Sequence, residues 1–476
     1  MFPKTIRAAT AAALLGAAGG FGHAADQSAI SAVKIPPHQR YTLANGVKLI
    51  LIPRHDVPLI AFDAVLRGGA RLDPAERAGV AALTAELLTH GAGTRDAFAF
   101  ADAVEDAGGH FEAGTDAEAI FVHGEFLARD HELLLALLSD ALQRPRFDAA
   151  ELDKLRERHI EFIKAAKDSS PQRLIAWYGR SLLFGEHPYG RPVGGSESTL
   201  QSITREDVQN FYREQFGADR LTLVIAGDFD PAALKTAVSA AFGSWHKASA
   251  TLAPLSEPSR VHGRRVLLVD SPGATQTYIW IANVGVARSF PQRAALDITD
   301  TAFGGSFGSM LIQALRVQSG LSYSASASFH RGSVPAEFAI STFTQTESTA
   351  RAIELTLQTL STLKHKGVSE ARVKSTRSYL LGQYALGFET AADWAGALAD
   401  LDLYGLPDSY IDDYRGQLLK VSSADANRVV AGAYPDSDDV DIVLIGDAAR
   451  IRAEVEKFGP VREKPIEAPD FIAPHS

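Results

Sequence analysis

The chain has 476 residues, with 47 lysines and arginines against 57 acidic residues and no cysteine. That length exceeds one ordinary core and implies two domains or more, while 46% hydrophobic and 22% charged residues are the proportions of a soluble globular protein. The missing cysteines exclude disulfides, thiolate metal sites and a cysteine nucleophile, and an acidic chain without a basic run argues against nucleic acid as a partner.

In chain order, the first element is a secretory signal over residues 1–25. Lys4 and Arg7 precede the Ala-rich run Ala8 to Phe21, and Gly22-His23-Ala24 supplies the small residues a signal peptidase reads. The run is too short to span hydrocarbon comfortably. The expectation is an exported, periplasmic chain, cleaved near Ala24 or Ala25 and free of the membrane afterwards. Apolar strands follow at Val47 to Ile52 and Leu59 to Leu66, then a strand at Ala119 to Phe126 and a helical spacing from Asp130 to Gln143. The strand Leu221 to Gly227-Asp228 runs into a helical stretch ending near Trp245. After the Pro- and Ser-containing stretch Ala253 to Val261, the series begins again with strands at Val266 to Val269, Thr277 to Val284 and Glu337 to Thr344. A helical spacing covers Ser348 to His365, and a strand Asp441 to Gly446-Asp447 again precedes a helix.

The two Gly-Asp pairs lie 219 residues apart, and the strands at Val47 and Val266 share that offset. Two markers on one offset predict an internal duplication. The domains are expected at 35–250 and 263–476, joined by a linker at 251–262. Hairpins and helix pairs in each half predict an α+β class, each half a mainly antiparallel sheet covered by helices.

Several segments together resemble the pitrilysin/insulinase family of zinc metallopeptidases. They are Arg67-Gly-Gly-Ala-Arg71 with Gly79-Val-Ala-Ala-Leu-Thr-Ala-Glu-Leu-Leu, Pro145-Arg-Phe147 after a long helix, and Leu183-Phe-Gly-Glu-His-Pro-Tyr-Gly190. Gly194-Gly-Ser-Glu-Ser-Thr-Leu200, Ile203-Thr-Arg-Glu-Asp-Val208 and Phe211-Tyr212 continue the match. In the second half, Phe303-Gly-Gly-Ser-Phe-Gly-Ser-Met-Leu311 and Leu315-Arg-Val-Gln-Ser-Gly-Leu-Ser-Tyr323 look like the family's glycine-rich segment and the passage after it. The resemblance spans the mature chain in order.

In such enzymes zinc is held by H-x-x-E-H on a helix, the histidines ligating from one face and the glutamate activating the bound water. The resemblance places Ala82 at the first histidine, Ala85 at the catalytic glutamate and Glu86 at the second histidine, with a third-ligand window at Glu161 to Lys164. Alanine neither binds zinc nor moves a proton, so this chain is expected to bind no metal or other cofactor. Glu86 and His90 are four apart, but His90 before Gly91 reads as the end of a helix. His131-Glu132 fails as H-E-x-x-H because Leu135 stands at its last position. His159 reads as part of a charged helix face, and His187 falls in a loop of the resemblance.

Gly304-Gly305-Ser306-Phe307-Gly308 formally satisfies the G-x-S-x-G of serine hydrolases, but the residues before it read as helix rather than the strand that motif needs. Arg316 and Tyr323 match the family's substrate-binding arginine–tyrosine pair, and Gly304, Gly305 and Ser306 would let a substrate backbone pass close. The resemblance therefore implies half of a clamshell chamber, the substrate-binding subunit of a heterodimer. Its partner would be a homologous H-x-x-E-H subunit supplying zinc, and its substrate an unfolded or extended peptide. A non-peptidase scaffold subunit is the alternative, and a serine hydrolase using Ser306 the remote one.

Overall fold

The computed structural model describes residues 33–474; the expected signal segment lies outside them. Runs of β-branched and aliphatic residues at Lys48–Pro53, Leu59–Arg67 and Leu221–Gly227 are long enough for strands and too apolar to remain in water. They form the middle of a six-stranded sheet of β1 (Gln39–Thr42), β2 (Lys48–Pro53), β3 (Leu59–Arg67), β6 (His110–Thr115), β7 (Ala119–Leu127) and β8 (Leu221–Gly227). Between β3 and β6 runs a small ribbon of β4 (Gly91–Ala92) and β5 (Arg95–Asp96). The order is β1-β2-β8-β3-β7-β6, antiparallel throughout except for β2 against β8.

The second sheet comprises β9 (Arg265–Asp270), β10 (Gln276–Val284), β11 (Ala325–Arg331), β12 (Pro335–Gln345), β13 (Asp441–Gly446) and β14 (Val461–Pro465). From its far edge it reads β14-β9-β13-β10-β12-β11. The inner relations repeat those of the first sheet: β9 is parallel to β13, β10 antiparallel to β13 and β12, and β11 antiparallel to β12. Only the outermost strands differ, β14 pairing parallel to β9 where β1 pairs antiparallel to β2. The fold is mixed α/β with two antiparallel-rich sheets, and the strands that share the 219-residue offset hold equivalent places in them.

Each expected segment, 35–250 and 263–476, holds the strands of one sheet, but the helices cross between them. The helix Ile175–Phe184 belongs to the first segment and packs on β10 and β13. It comes so close that a Cβ on Gly179 would stand 2.5 Å from the Trp280 ring. Conversely, the helix Ala391–Leu403 packs on β3 and β8, where Trp394, Ala395 and Leu398 bury against Ile50, Ile52, Ala61 and Val65. Its Gly396 faces Asp63. Among the described residues, each sheet ends in two edge strands, β1 and β6 in the first and β14 and β11 in the second, with β6 and β11 at corresponding ends.

Candidate functional site

The helix Val80–Leu87 carries the three positions expected to be emptied of zinc ligands. Its start is fixed by Asp73, whose carboxylate accepts from the N–H of Gly79 at 2.7 Å and of Ala81 at 3.0 Å. Burial pushes this carboxyl up to about 8 against those two donors. Gly79 has φ 100°, and a Cβ on it would stand 3.0 Å from the Cα of Gly195. Ala82 and Glu86, one turn apart, face a cavity of about 560 Å³, whereas Ala85 is fully buried in the core.

Glu86 is committed elsewhere. Its two carboxylate oxygens meet Arg158 Nη2 at 2.6 Å and His159 Nε2 at 2.7 Å, both from the helix Ala149–Ser169. Burial opposes its charge, but His159 and Arg158 outweigh that and hold the carboxyl below the usual glutamate value. His159 thus has a specific carboxylate partner that a charged helix face does not convey. Glu161, in the expected third-ligand window, instead points outward and pairs with Lys164 at 3.0 Å. His90 does not join Glu86 as a ligand, because its Nδ1 lies 2.9 Å from the backbone carbonyl of Glu86. A dication does not fit at these three helix positions: Ala82 and Ala85 offer no donor, and the Glu86 carboxylate already faces a guanidinium. His131 and His187 also engage backbone carbonyls, of Ala128 and Ser256 respectively.

In the second half, the helix Arg293–Asp300 runs on into a wide turn of π-helix over Thr301–Gly305, and a second π segment spans Gln313–Gln318. Such segments are uncommon and re-aim side chains. They bracket the glycine-rich loop. Gly304 is there for packing, since a Cβ on it would stand 2.2 Å from the N of Ala327 on β11; Gly305 is exposed, and Gly308 has open space around it. Ser306 donates its hydroxyl to the carbonyl of Thr301 at 3.2 Å and follows helix, so the strand-to-helix elbow of a serine nucleophile is not formed.

Arg316 and Tyr323 do meet. The Arg316 guanidinium lies 4.3 Å from the Tyr323 ring centre and 5.0 Å from that of Phe307, a cation held between two rings. Both rings stand in solvent, Tyr323 at 71% and Phe307 at 70% exposure. Their support is rigid. Ser322 is buried and donates to the Ser324 carbonyl, and Thr342 and Thr344 of β12 donate to the Ser324 and Leu321 carbonyls. Phe307 was not singled out in the sequence; its place in a loop rich in glycine was the one available signal. Tyr323 leads directly into the unpaired edge strand β11.

The chain matches the family description "Insulinase (Peptidase family M16)" over residues 61–196 and "Peptidase M16 inactive domain" over residues 202–380, about two thirds of its length together. It belongs to peptidase family M16. Among M16 relatives, an uncharacterized zinc protease of Mycobacterium tuberculosis is 28% identical over 393 residues, covering 82% of this chain and 89% of the relative. A non-peptidase homolog of Helicobacter pylori is 23% identical over 413 residues, covering 86% and 94%. The fold is shared with the crystal structure of a peptidase M16 inactive domain from Pseudomonas fluorescens, at TM-score 0.80 and 21% identity over 86% of this chain and 98% of that one. It is shared also with the periplasmic protease PqqL from Escherichia coli, at TM-score 0.74 and 15% identity. There the match covers 91% of this chain but 49% of the other. Among the described residues, no helix is long and apolar enough to cross a membrane.

Proposed function

We propose that this chain is the non-catalytic, substrate-binding subunit of a heterodimeric zinc metallopeptidase, exported to the periplasm. A homologous M16 subunit with an intact H-x-x-E-H would supply the zinc, and this chain binds no metal at the Ala82–Glu86 position. The observation that carries the reading is Arg316, held between exposed Phe307 and Tyr323 beside an unpaired strand edge, in a chain whose zinc positions hold alanine. A guanidinium offers a fork of donors to peptide carbonyls. Tyr323 adds a hydroxyl, and the free edge of β11 can pair with an extended peptide by strand addition. The half-length match to PqqL supports a second, similar half closing the chamber.

The test is hydrolysis of a long unstructured fluorogenic peptide by this chain alone, and by the chain mixed with its zinc-bearing homologue. The expected outcome is silence alone and chelator-sensitive cleavage in the mixture. Arg316→Ala should lower kcat/KM in the mixture by about tenfold or more, the loss of a charged hydrogen bond to substrate. Chelator-sensitive turnover by the isolated chain overturns the proposal. The non-peptidase homolog among its relatives favours a second reading, a scaffold subunit. In that case the assembled complex is indifferent to Arg316→Ala.

A further inference from the structure

The outer margin of the first sheet carries a second cluster, of which Glu112 and His123 line the same cavity as Ala82 and Glu86. Strand alternation sends His110 and Glu112 to one side of β6, while Phe111 and Ala113 between them face the helical core. The β6–β7 pairing sets His123 directly across from Glu112. Glu112 Oε2 lies 3.4 Å from Nε2 of His110 and 3.4 Å from Nε2 of His123. The ligating atoms of all three side chains fall within 4.8 Å of one another. A charge-assisted hydrogen bond would close to about 2.7–2.9 Å. Two atoms each bound at about 2.0–2.1 Å to a tetrahedral ion instead stand about 3.3 Å apart, close to the 3.4 Å between Glu112 and each histidine.

We propose that His110, Glu112 and His123 bind one divalent transition-metal ion of the zinc, copper and nickel class. Two imidazoles and a carboxylate select these over magnesium or calcium, which prefer all-oxygen sites. Three protein ligands leave a fourth position to water or to a donor on a bound chain, and the ion cross-links β6 to β7 at an unpaired edge of the sheet. Asp63, the partner of His123 on β3, completes the row. Its Oδ1 is buried without a hydrogen-bond partner. None of these groups depends on a peptide substrate or a partner subunit.

Metal-stripped full chain, carrying no histidine tag, is titrated with zinc chloride by calorimetry near neutral pH and melted with and without zinc. The expected result is one zinc per chain at micromolar or tighter affinity and a rise in Tm. His123→Ala and Glu112→Ala should each weaken binding by about tenfold or more and abolish the Tm rise. His110→Ala, at a mostly exposed position, serves where another variant folds poorly. Glu86→Gln and His159→Ala should bind as the parent does. Absence of stoichiometric binding below millimolar zinc overturns the proposal. So does binding that survives His123→Ala and Glu112→Ala, or that is lost with His159→Ala.

Discussion

Asp300 ends the helix Arg293–Asp300 just before the first π segment, with one carboxylate oxygen buried and unpartnered. Burial, then the charge of Asp297, pushes its carboxyl up to about 7, while Arg331 pulls the other way. The folded chain therefore holds this proton more tightly than the unfolded chain, whose aspartates titrate near about 3.9. A raised value means stability is present in full below the unfolded pKa and falls as pH rises through about 7. Asp300→Asn should thus show a smaller loss of Tm between about pH 5.5 and 8.5 than the parent in calorimetric scans. An equal loss in both contradicts the assignment. Glu86 works with the opposite sign. Its lowered carboxyl adds stability at neutral pH that is lost only as the solution becomes acidic, so the two groups are separable by their pH windows.

At the scale of elements, the crossing helices depend on close approach. Gly179 lets the helix Ile175–Phe184 lie on the Trp280 ring, and that ring is fully enclosed and unable to swing away. Gly179→Ala should destabilise the chain by about 1–3 kcal/mol through overpacking. In the helix Glu370–Tyr384, Gly382 has open space where a Cβ would go. There alanine should stabilise by up to about 1 kcal/mol, the ordinary propensity difference. Urea unfolding of the two variants checks both signs. If Gly179→Ala proves neutral, the helix has room to shift and the contact does not hold the two halves together.

For the whole molecule, the exchange of helices ties the halves beyond their covalent link. The stretch 251–262 is mostly exposed and has no regular secondary structure, so it is a natural site of cleavage. A chain nicked there should still elute as one species in gel filtration, because each sheet keeps a helix from the other half. Residues 33–250 expressed alone would lack the Trp394 helix on β3 and β8 and expose the face that Tyr178 and Gly179 bury on the second sheet. That fragment should be insoluble or oligomeric. A soluble, monomeric fragment with a cooperative melt would show instead that each half folds by itself.

The sequence by itself determined the duplication, the strands that hold equivalent places in the two sheets, the α+β class and the expectation that Ala82 and Ala85 stand where the resemblance puts zinc ligands. All of these are local: an apolar run, a Gly-Asp turn or a missing histidine is written at one place in the chain. The M16 family was legible in the same way, as short segments in order. What only the tertiary structure decided depends on residues far apart in sequence that meet across elements. Helical spacing in Ile175–Phe184 and Ala391–Leu403 says that a face is buried but not against which sheet, so the crossing was invisible. The resemblance points to a window at Glu161 to Lys164 on the helix Ala149–Ser169, and a shift of two residues separates Glu161, in solvent, from His159 on Glu86. Phe307 joins Arg316 only because two π segments re-aim the chain. His110, Glu112 and His123 converge only through the register of β6 against β7, because a slip of one residue would send His123 to the opposite face.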